Sequence, residues 1–184
     1  REYDEAEKIL KKLIKDYPNY LNATVTFANL KNDTYFFDEA IKYYEKALKI
    51  QSNLPQLYVN ISSIFQIQNK MEDAKKFLFK ALELNKYFTK ADELLSRILN
   101  YKEDESQPHL TDMINKIDDN KLNDDDKIRL WFSLGKAFED KKQYEKSFKH
   151  LEAGNDLMKK KNKSSIEHYK QKVYELKKFF SKFN

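Results

Sequence analysis

Cysteine is missing from all 184 residues, which removes any disulfide framework, any thiolate nucleophile and any cysteine-ligated zinc. The lack of disulfides favours an intracellular, cytoplasmic setting. Glycine is nearly as scarce, and because Gly135 and Gly154 stand nineteen residues apart, a glycine-rich phosphate loop is excluded. Only three prolines interrupt the chain, and with 35% of residues charged the composition suits helices joined by short turns. No run approaches the ~18–20 apolar residues of a membrane span, and no secretory signal is visible after Arg1.

What the chain does have is a beat. Tyr3-Asp4-Glu5-Ala6, Phe37-Asp38-Glu39-Ala40 and Met71-Glu72-Asp73-Ala74 are one element written three times at a spacing of 34 residues. Four and seven places after each alanine stand further apolar residues: Leu10 and Leu13, Tyr44 and Ala47, Leu78 and Ala81. Twelve residues before the second and third alanines lie Ala28 and Ser62, preceded by Phe27 and Ile61. Small residues in register mark positions where two helices nearly touch, since a larger side chain there would overpack the contact at about 1–3 kcal/mol. A fixed period in this range marks a solenoid of stacked helical units, and 34 residues is the period of the tetratricopeptide repeat, which the chain resembles. The implied fold is all-α, a right-handed α-α superhelix of antiparallel helix pairs with about ten helices.

The pattern predicts helices near 3–17, 20–32, 37–51, 54–68, 71–85 and 88–101, with Pro18 ending the first and Pro55 in the first turn of another. The opening helix corresponds to the second half of a repeat. It is therefore expected to be the least covered element, from a chain with more sequence upstream. The next alanine is due at 108, where Pro108 stands instead, so the beat stops. The expected organisation is a regular array over 1–101, an irregular linker with a short helix over 102–127, a further repeat over 128–160 and a capping or junction helix over 161–184, all within one solenoid.

The resumed repeat carries Trp131, Leu134, Gly135 and Phe138 at the tryptophan–leucine–glycine–aromatic spacing that opens a tetratricopeptide repeat, followed by Ser147 and Leu151. Both glycines then stand at small contact positions. The last helix presents Ile166, Tyr169, Val173, Leu176, Phe180 and Phe183 at helical spacing and is expected to cover the end of the stack. With the upstream His109-Leu110 to Met113 segment, and from Leu134-Gly135-Lys136-Ala137-Phe138-Glu139-Asp140 through Tyr144, Phe148, His150-Leu151 and Gly154-Asn155, the chain over roughly 109–184 resembles the region before the catalytic domain of bacterial tetratricopeptide-repeat sulfotransferases. That resemblance implies a non-catalytic arm beside a sulfotransferase domain. Such a domain uses phosphoadenosine phosphosulfate through a proline-arginine-serine-glycine-threonine loop, which is absent here, so no catalytic, cofactor or metal residue carries over and no cofactor is expected in this segment.

The ionisable residues give no alternative chemistry. His109, His150 and His168 lie far apart with no second ligand at metal spacing, and His150 is expected at a surface or boundary. The runs Glu103-Asp104-Glu105 and Asp124-Asp125-Asp126 lack the spacing and the bend glycine of a calcium loop and suit solvated linkers and helix N-termini. Binding is the expected activity, to a protein or peptide held against the first helices of the repeats. Asn22, Asn29, Asn60, Ser63, Gln66, Lys90, Glu93 and Arg97 are the candidate groove residues. Some tetratricopeptide-repeat proteins clamp a peptide's terminal carboxylate, and Asn29, Asn60 and Lys90 fall at three of those positions, whereas Val25 and Leu94 stand where that clamp has basic residues. Net charge is +5, but nine lysines from Lys159 onward against Glu167 and Glu175 give that end about +7 and the rest about −2. A basic aromatic helix could meet nucleic acid or an anionic membrane; a solvated lysine face is preferred, so neither is expected as a partner. A free-standing adaptor remains the alternative to the sulfotransferase arm.

Overall fold

The computed structural model describes residues 2–180, apart from the side chains of 2, 164, 165, 169, 176, 177, 179 and 180. Among the described residues there are nine α-helices, one 3-10 turn and no strand. The helices are α1 (Glu2–Asp16), α2 (Leu21–Asp33), α3 (Phe37–Ile50), α4 (Pro55–Ile67), α5 (Met71–Leu84), α6 (Thr89–Ile98), α7 (Gln107–Lys116), α8 (Asp124–Asp140) and α9 (Tyr144–Phe180), with the 3-10 turn at Asp104–Ser106. The chain divides into two compact units, one ending at Ile98 and the other beginning at Leu99.

In the first unit each helix packs on the next, and the periodic small residues are the contact points. Ala28, Ala40, Ala47, Ala74 and Ala81 are fully buried, as is Ser62. Around them Tyr44, Leu57, Ile61 and Ile64 close a core that Phe37, Ile41 and Phe65 line from the side. Ile14, Ala23 and Phe27 form a smaller cluster that holds α1 to α2. Ile14 is the one buried residue among the described side chains of α1, and Ala6 is half-buried. α1 is thus thinly covered, but it is not the least covered element its place in the repeat suggested, because the described side chains of α9 beyond Gly154 are nearly all exposed.

The turns inside the repeats share one backbone solution. Tyr35, Asn69 and Lys142 have positive φ angles of 63°, 58° and 57°. Each follows a first helix, and the next amide closes a six-residue loop back onto it, from Phe36 to Lys31 at 2.8 Å, Lys70 to Phe65 at 2.8 Å and Gln143 to Phe138 at 2.9 Å. This is the Schellman ending, which satisfies carbonyls that a helix end leaves unpaired. Tyr35 and Lys142 adopt the left-handed conformation without glycine's freedom, so packing of the flanking helices must hold it.

In the second unit α7 begins at Gln107 with Pro108 in its first turn, where a missing amide hydrogen costs nothing. α8 is capped by Asn123, whose side chain accepts from the Asp126 amide at 3.0 Å. α8 and α9 pack through Gly135, Ser147 and Gly154: the Ser147 hydroxyl donates to the Gly135 carbonyl at 2.8 Å, wholly inside the contact. Beyond that contact the structure departs from the expected separate helix over 161–184. α9 runs without a break from Tyr144 to Phe180, because the lysine-rich stretch from Lys159 to Lys163 contains no helix breaker. Nor does it cover an end of the stack over its described side chains, since Ile166 and Val173 are 56% and 50% exposed. The expected contacts of Tyr169, Leu176, Phe180 and Phe183 lie outside the described side chains.

Candidate functional site

The eight groove candidates fall on the first helices of the first unit. Asn22 and Asn29 are on α2, Asn60, Ser63 and Gln66 on α4, and Lys90, Glu93 and Arg97 on α6. Across the repeats they form columns at 34-residue steps: Asn22, Gln56 and Lys90 in one, Asn29, Ser63 and Arg97 in another. A cleft of about 340 Å³ opens between the N-terminal halves of α2 and α4, lined by Leu21, Asn22, Val25, Thr26, Leu54, Gln56 and Leu57. Its walls are mainly aliphatic, with amides at the rim.

Deeper along the same helices a residue of α3 joins two of the candidates. The Tyr44 ring is buried at 1% exposure, and its hydroxyl donates to Asn29 Oδ1 at 2.6 Å. Burial pushes that hydroxyl up to about 12, with a hydrogen bond involving Asn60 working the other way and the charge of Asp33 adding to the rise. The phenol is therefore neutral near pH 7 and holds its proton for Asn29. Asn60 also accepts from Gln56 Nε2 at 2.7 Å, so the polar floor from α2 to α4 is already organised. Gln66 Nε2, further along α4, is shielded from solvent and has no protein acceptor. Ser63 turns its hydroxyl back to the Val59 carbonyl at 3.0 Å.

On α6 the charges satisfy one another. Glu93 takes Lys90 Nζ at 2.9 Å and also binds the Arg97 guanidinium one turn on. A ligand carboxylate at Lys90 would compete with Glu93, so the third clamp position has its anion built in. Sequence reasoning set Tyr44 among the apolar positions; the available signal was that Leu10 and Leu78 occupy the same place in the neighbouring repeats. Lys31 was missed as well. It is 4% exposed, ion-paired to Glu7 at 2.9 Å and Glu39 at 3.2 Å, and lies over the rings of Phe27 and Phe36, tying α1, α2 and α3 together.

The second unit places its histidines apart. His109 is buried and shares a 2.7 Å hydrogen bond with the Tyr101 hydroxyl. His150 is half-buried, stacked on Phe138 with centroids 5.0 Å apart and tilted against Trp131 at 5.1 Å. Its Nδ1 is shielded with no protein partner, and burial, helped by the Lys146 charge, holds the imidazole below its ordinary value. Asp125 is ion-paired to Lys161, whose hydrogen bond holds that carboxyl down, and Asp126 pairs with Arg129 at 3.1 Å. Among the described residues no three His, Asp or Glu side chains converge as metal ligands, and no helix is long and apolar enough to cross a membrane.

The tetratricopeptide repeat family model matches residues 37–54 and 55–88. No curated protein matches the sequence. Among solved structures, MamA is similar at 20% identity over 88% of this chain and 91% of that one, with a TM-score of 0.68. BtubC (BKLC) from P. vanneervenii is similar at 15% identity over 88% and 75%, with a TM-score of 0.67. A putative kinesin light chain of Podosopora anserina with nearly identical TPR-like repeats is similar at 12% identity over 88% and 89%, with a TM-score of 0.63. At these identities the likeness is one of fold. The chain is an all-helical repeat protein that carries tetratricopeptide repeats within its first unit.

Proposed function

We propose that this chain is a protein-interaction scaffold whose first unit holds an extended peptide segment of a partner along α2 and α4. The observation that carries the reading is the pairing of an aliphatic cleft at Leu21, Val25, Leu54 and Leu57 with the polar floor formed by the amides of Asn29 and Asn60 and the Tyr44 hydroxyl. An apolar side chain of the partner would enter the cleft, and its backbone amides would exchange hydrogen bonds with the asparagines, which both donate and accept. Because Glu93 already engages Lys90 and Arg97, recognition of a terminal carboxylate is not part of the proposal. Random 12-residue peptides displayed on phage and selected against the chain provide the test. Selected peptides should lose affinity for Val25→Arg and Tyr44→Phe variants while retaining it for Lys90→Ala. Selection that yields nothing, or peptides indifferent to Val25→Arg, would overturn the reading.

The finer assignment, an arm beside a sulfotransferase domain, rests on the Leu134 to Asn155 run and the upstream His109-Leu110 to Met113 segment, and the family match lies elsewhere, at 37–88. The adaptor reading needs only the groove. Sequencing the gene past codon 184 separates the two: a phosphate-loop sequence there supports the arm, and its absence leaves the adaptor.

A further inference from the structure

The turn between α2 and α3 differs in its side chains from the two others of its kind. At the same backbone positions stand Tyr35-Phe36-Phe37, Asn69-Lys70-Met71 and Lys142-Gln143-Tyr144, so the Schellman ending itself does not call for three aromatic residues. It disfavours one of them. Tyrosine at a φ of 63° is held in a region that the asparagine at 69 occupies at lower steric cost. Burial returns little, since Tyr35 is 79% exposed. A residue kept against its backbone preference and outside the core points to a role in binding rather than in folding.

The surroundings of Tyr35 define what would be bound. Tyr35, Phe36, Phe37, Asp38, Glu39 and Gln68 line a pocket of about 370 Å³ where the end of α4 meets the start of α3. The Tyr35 and Phe37 rings lie edge to face, 6.0 Å apart at 87°, and so form a corner. Faces of aromatic rings are electron-rich and attract cations. Asp38 adds an exposed carboxylate that pairs with no cation among the described residues, and Gln68 Oε1 accepts from no protein donor. The positive end of the α3 dipole, about half a charge, is outweighed by Asp38 and Glu39 in the first turn. The fold already holds one cation by these means: Lys31 Nζ lies 4.8 Å from the Phe36 ring centroid, with Glu7 and Glu39 as counter-ions. Two carboxylates to one ammonium leave that cluster net negative, so it does not repel a second cation.

A guanidinium suits the pocket better than other cations. Its flat face stacks on a ring while its edge donates to a carboxylate; an ammonium has no flat face, and a quaternary ammonium has no donor. We propose that this pocket takes an arginine side chain of a partner protein, stacked on Tyr35 and paired with Asp38. It lies at the C-terminal ends of α2 and α4, whereas the aliphatic cleft lies at their N-terminal halves, and it stands without the cleft.

The test titrates the isotope-labelled full chain with N-acetyl-arginine amide, followed by amide NMR. The signals of Tyr35 to Glu39 and of Gln68 should shift saturably, in the millimolar range of a single side chain. N-acetyl-lysine amide should bind at least about threefold more weakly, and N-acetyl-citrulline amide, which keeps the shape without the charge, should leave the signals in place. Tyr35→Asn should weaken arginine binding about fivefold or more. Its thermal midpoint should hold or rise, because asparagine suits the left-handed backbone, so lost folding cannot explain lost binding. Asp38→Asn should weaken binding and remove most of its dependence on salt. No saturable shift, equal shifts with citrulline or lysine, binding unchanged by Tyr35→Asn, or a lowered midpoint for that variant would overturn the proposal. So would tighter binding of free arginine than of the blocked form, which would make this a site for the amino acid rather than for a protein side chain.

Discussion

Replacing Gly135 by alanine isolates the closest helix contact in the second unit. A methyl on Gly135 would lie 2.5 Å from Leu151 Cδ2 and 2.7 Å from Cγ, with the Ser147 carbonyl oxygen at 3.6 Å. Carbon atoms in contact sit about 3.5–4.0 Å apart, so something must move by roughly 1 Å. Cγ is the branch point of Leu151 rather than a free tip, and helix separation would stretch the 2.8 Å bond from Ser147 to the Gly135 carbonyl. Overpacking of this kind costs about 1–3 kcal/mol, while alanine gains about 0.5–1 kcal/mol over glycine inside a helix. The expected net loss is about 1 kcal/mol, read as a lower urea midpoint at unchanged slope. Trp131, the single tryptophan, lies on α8 and reports unfolding of this unit. In a Leu151→Ala background the obstacle is gone, so the same substitution should stabilise by about 0.5–1 kcal/mol, the helix preference alone. At Gly154 the added methyl would meet Trp131 Cβ at 3.1 Å and Phe132 at 3.4 Å, so Gly154→Ala should be close to neutral. If Gly135→Ala stabilises the otherwise unaltered protein, or has the same effect in both backgrounds, close approach is not what glycine supplies there.

Lys31→Ala should destabilise the first unit by about 1–3 kcal/mol, less than the 3–5 kcal/mol for breaking a fully buried pair, because the Glu7 and Glu39 side chains are 30% and 48% exposed and can rehydrate. Lys76→Ala, at an exposed pair with Asp73, serves as the control and should change stability by no more than about 0.5 kcal/mol; equal effects in urea melts would refute the keystone role. Lys142→Asn should stabilise by about 0.5 kcal/mol, since asparagine tolerates a φ of 57° better than lysine and the side chain is exposed; a lower thermal midpoint would contradict the backbone argument. His150 has a folded-state value below its ordinary 6.5, so the unfolded chain binds its proton first. Its contribution to stability is complete above about 6.5 and is lost as pH falls from there toward the depressed value. His150→Phe should keep the stack on Phe138 and flatten that part of the pH dependence, and an unchanged slope of stability between pH 5 and 7 would reject it.

The repeats were legible because their signals are local and steric. Ala40 and Ala74, and likewise Ala28 and Ser62, sit at helix contacts that admit only small side chains, and each pair is written at a fixed 34-residue interval whatever the surface does. The same holds for Gly135 and Ser147, twelve residues apart on two helices that touch. The continuation of α9 was legible too, in the absence of any stop signal between Tyr144 and Phe180 other than a glycine used for packing. It was obscured by ending the repeat at 160 and starting a separate helix at 161.

The sequence by itself determined the helical repeat, its period and the small residues that let helices approach, because each depends on spacing along one chain. Only the tertiary structure decided that the Tyr44 hydroxyl reaches Asn29, that Lys31 gathers Glu7 and Glu39, that Glu93 occupies Lys90 and Arg97, and that Ile166 and Val173 of α9 stay exposed. Those outcomes depend on which polar atoms burial brings within about 3 Å of one another, and residues with the same spacing and the same helix can meet different partners.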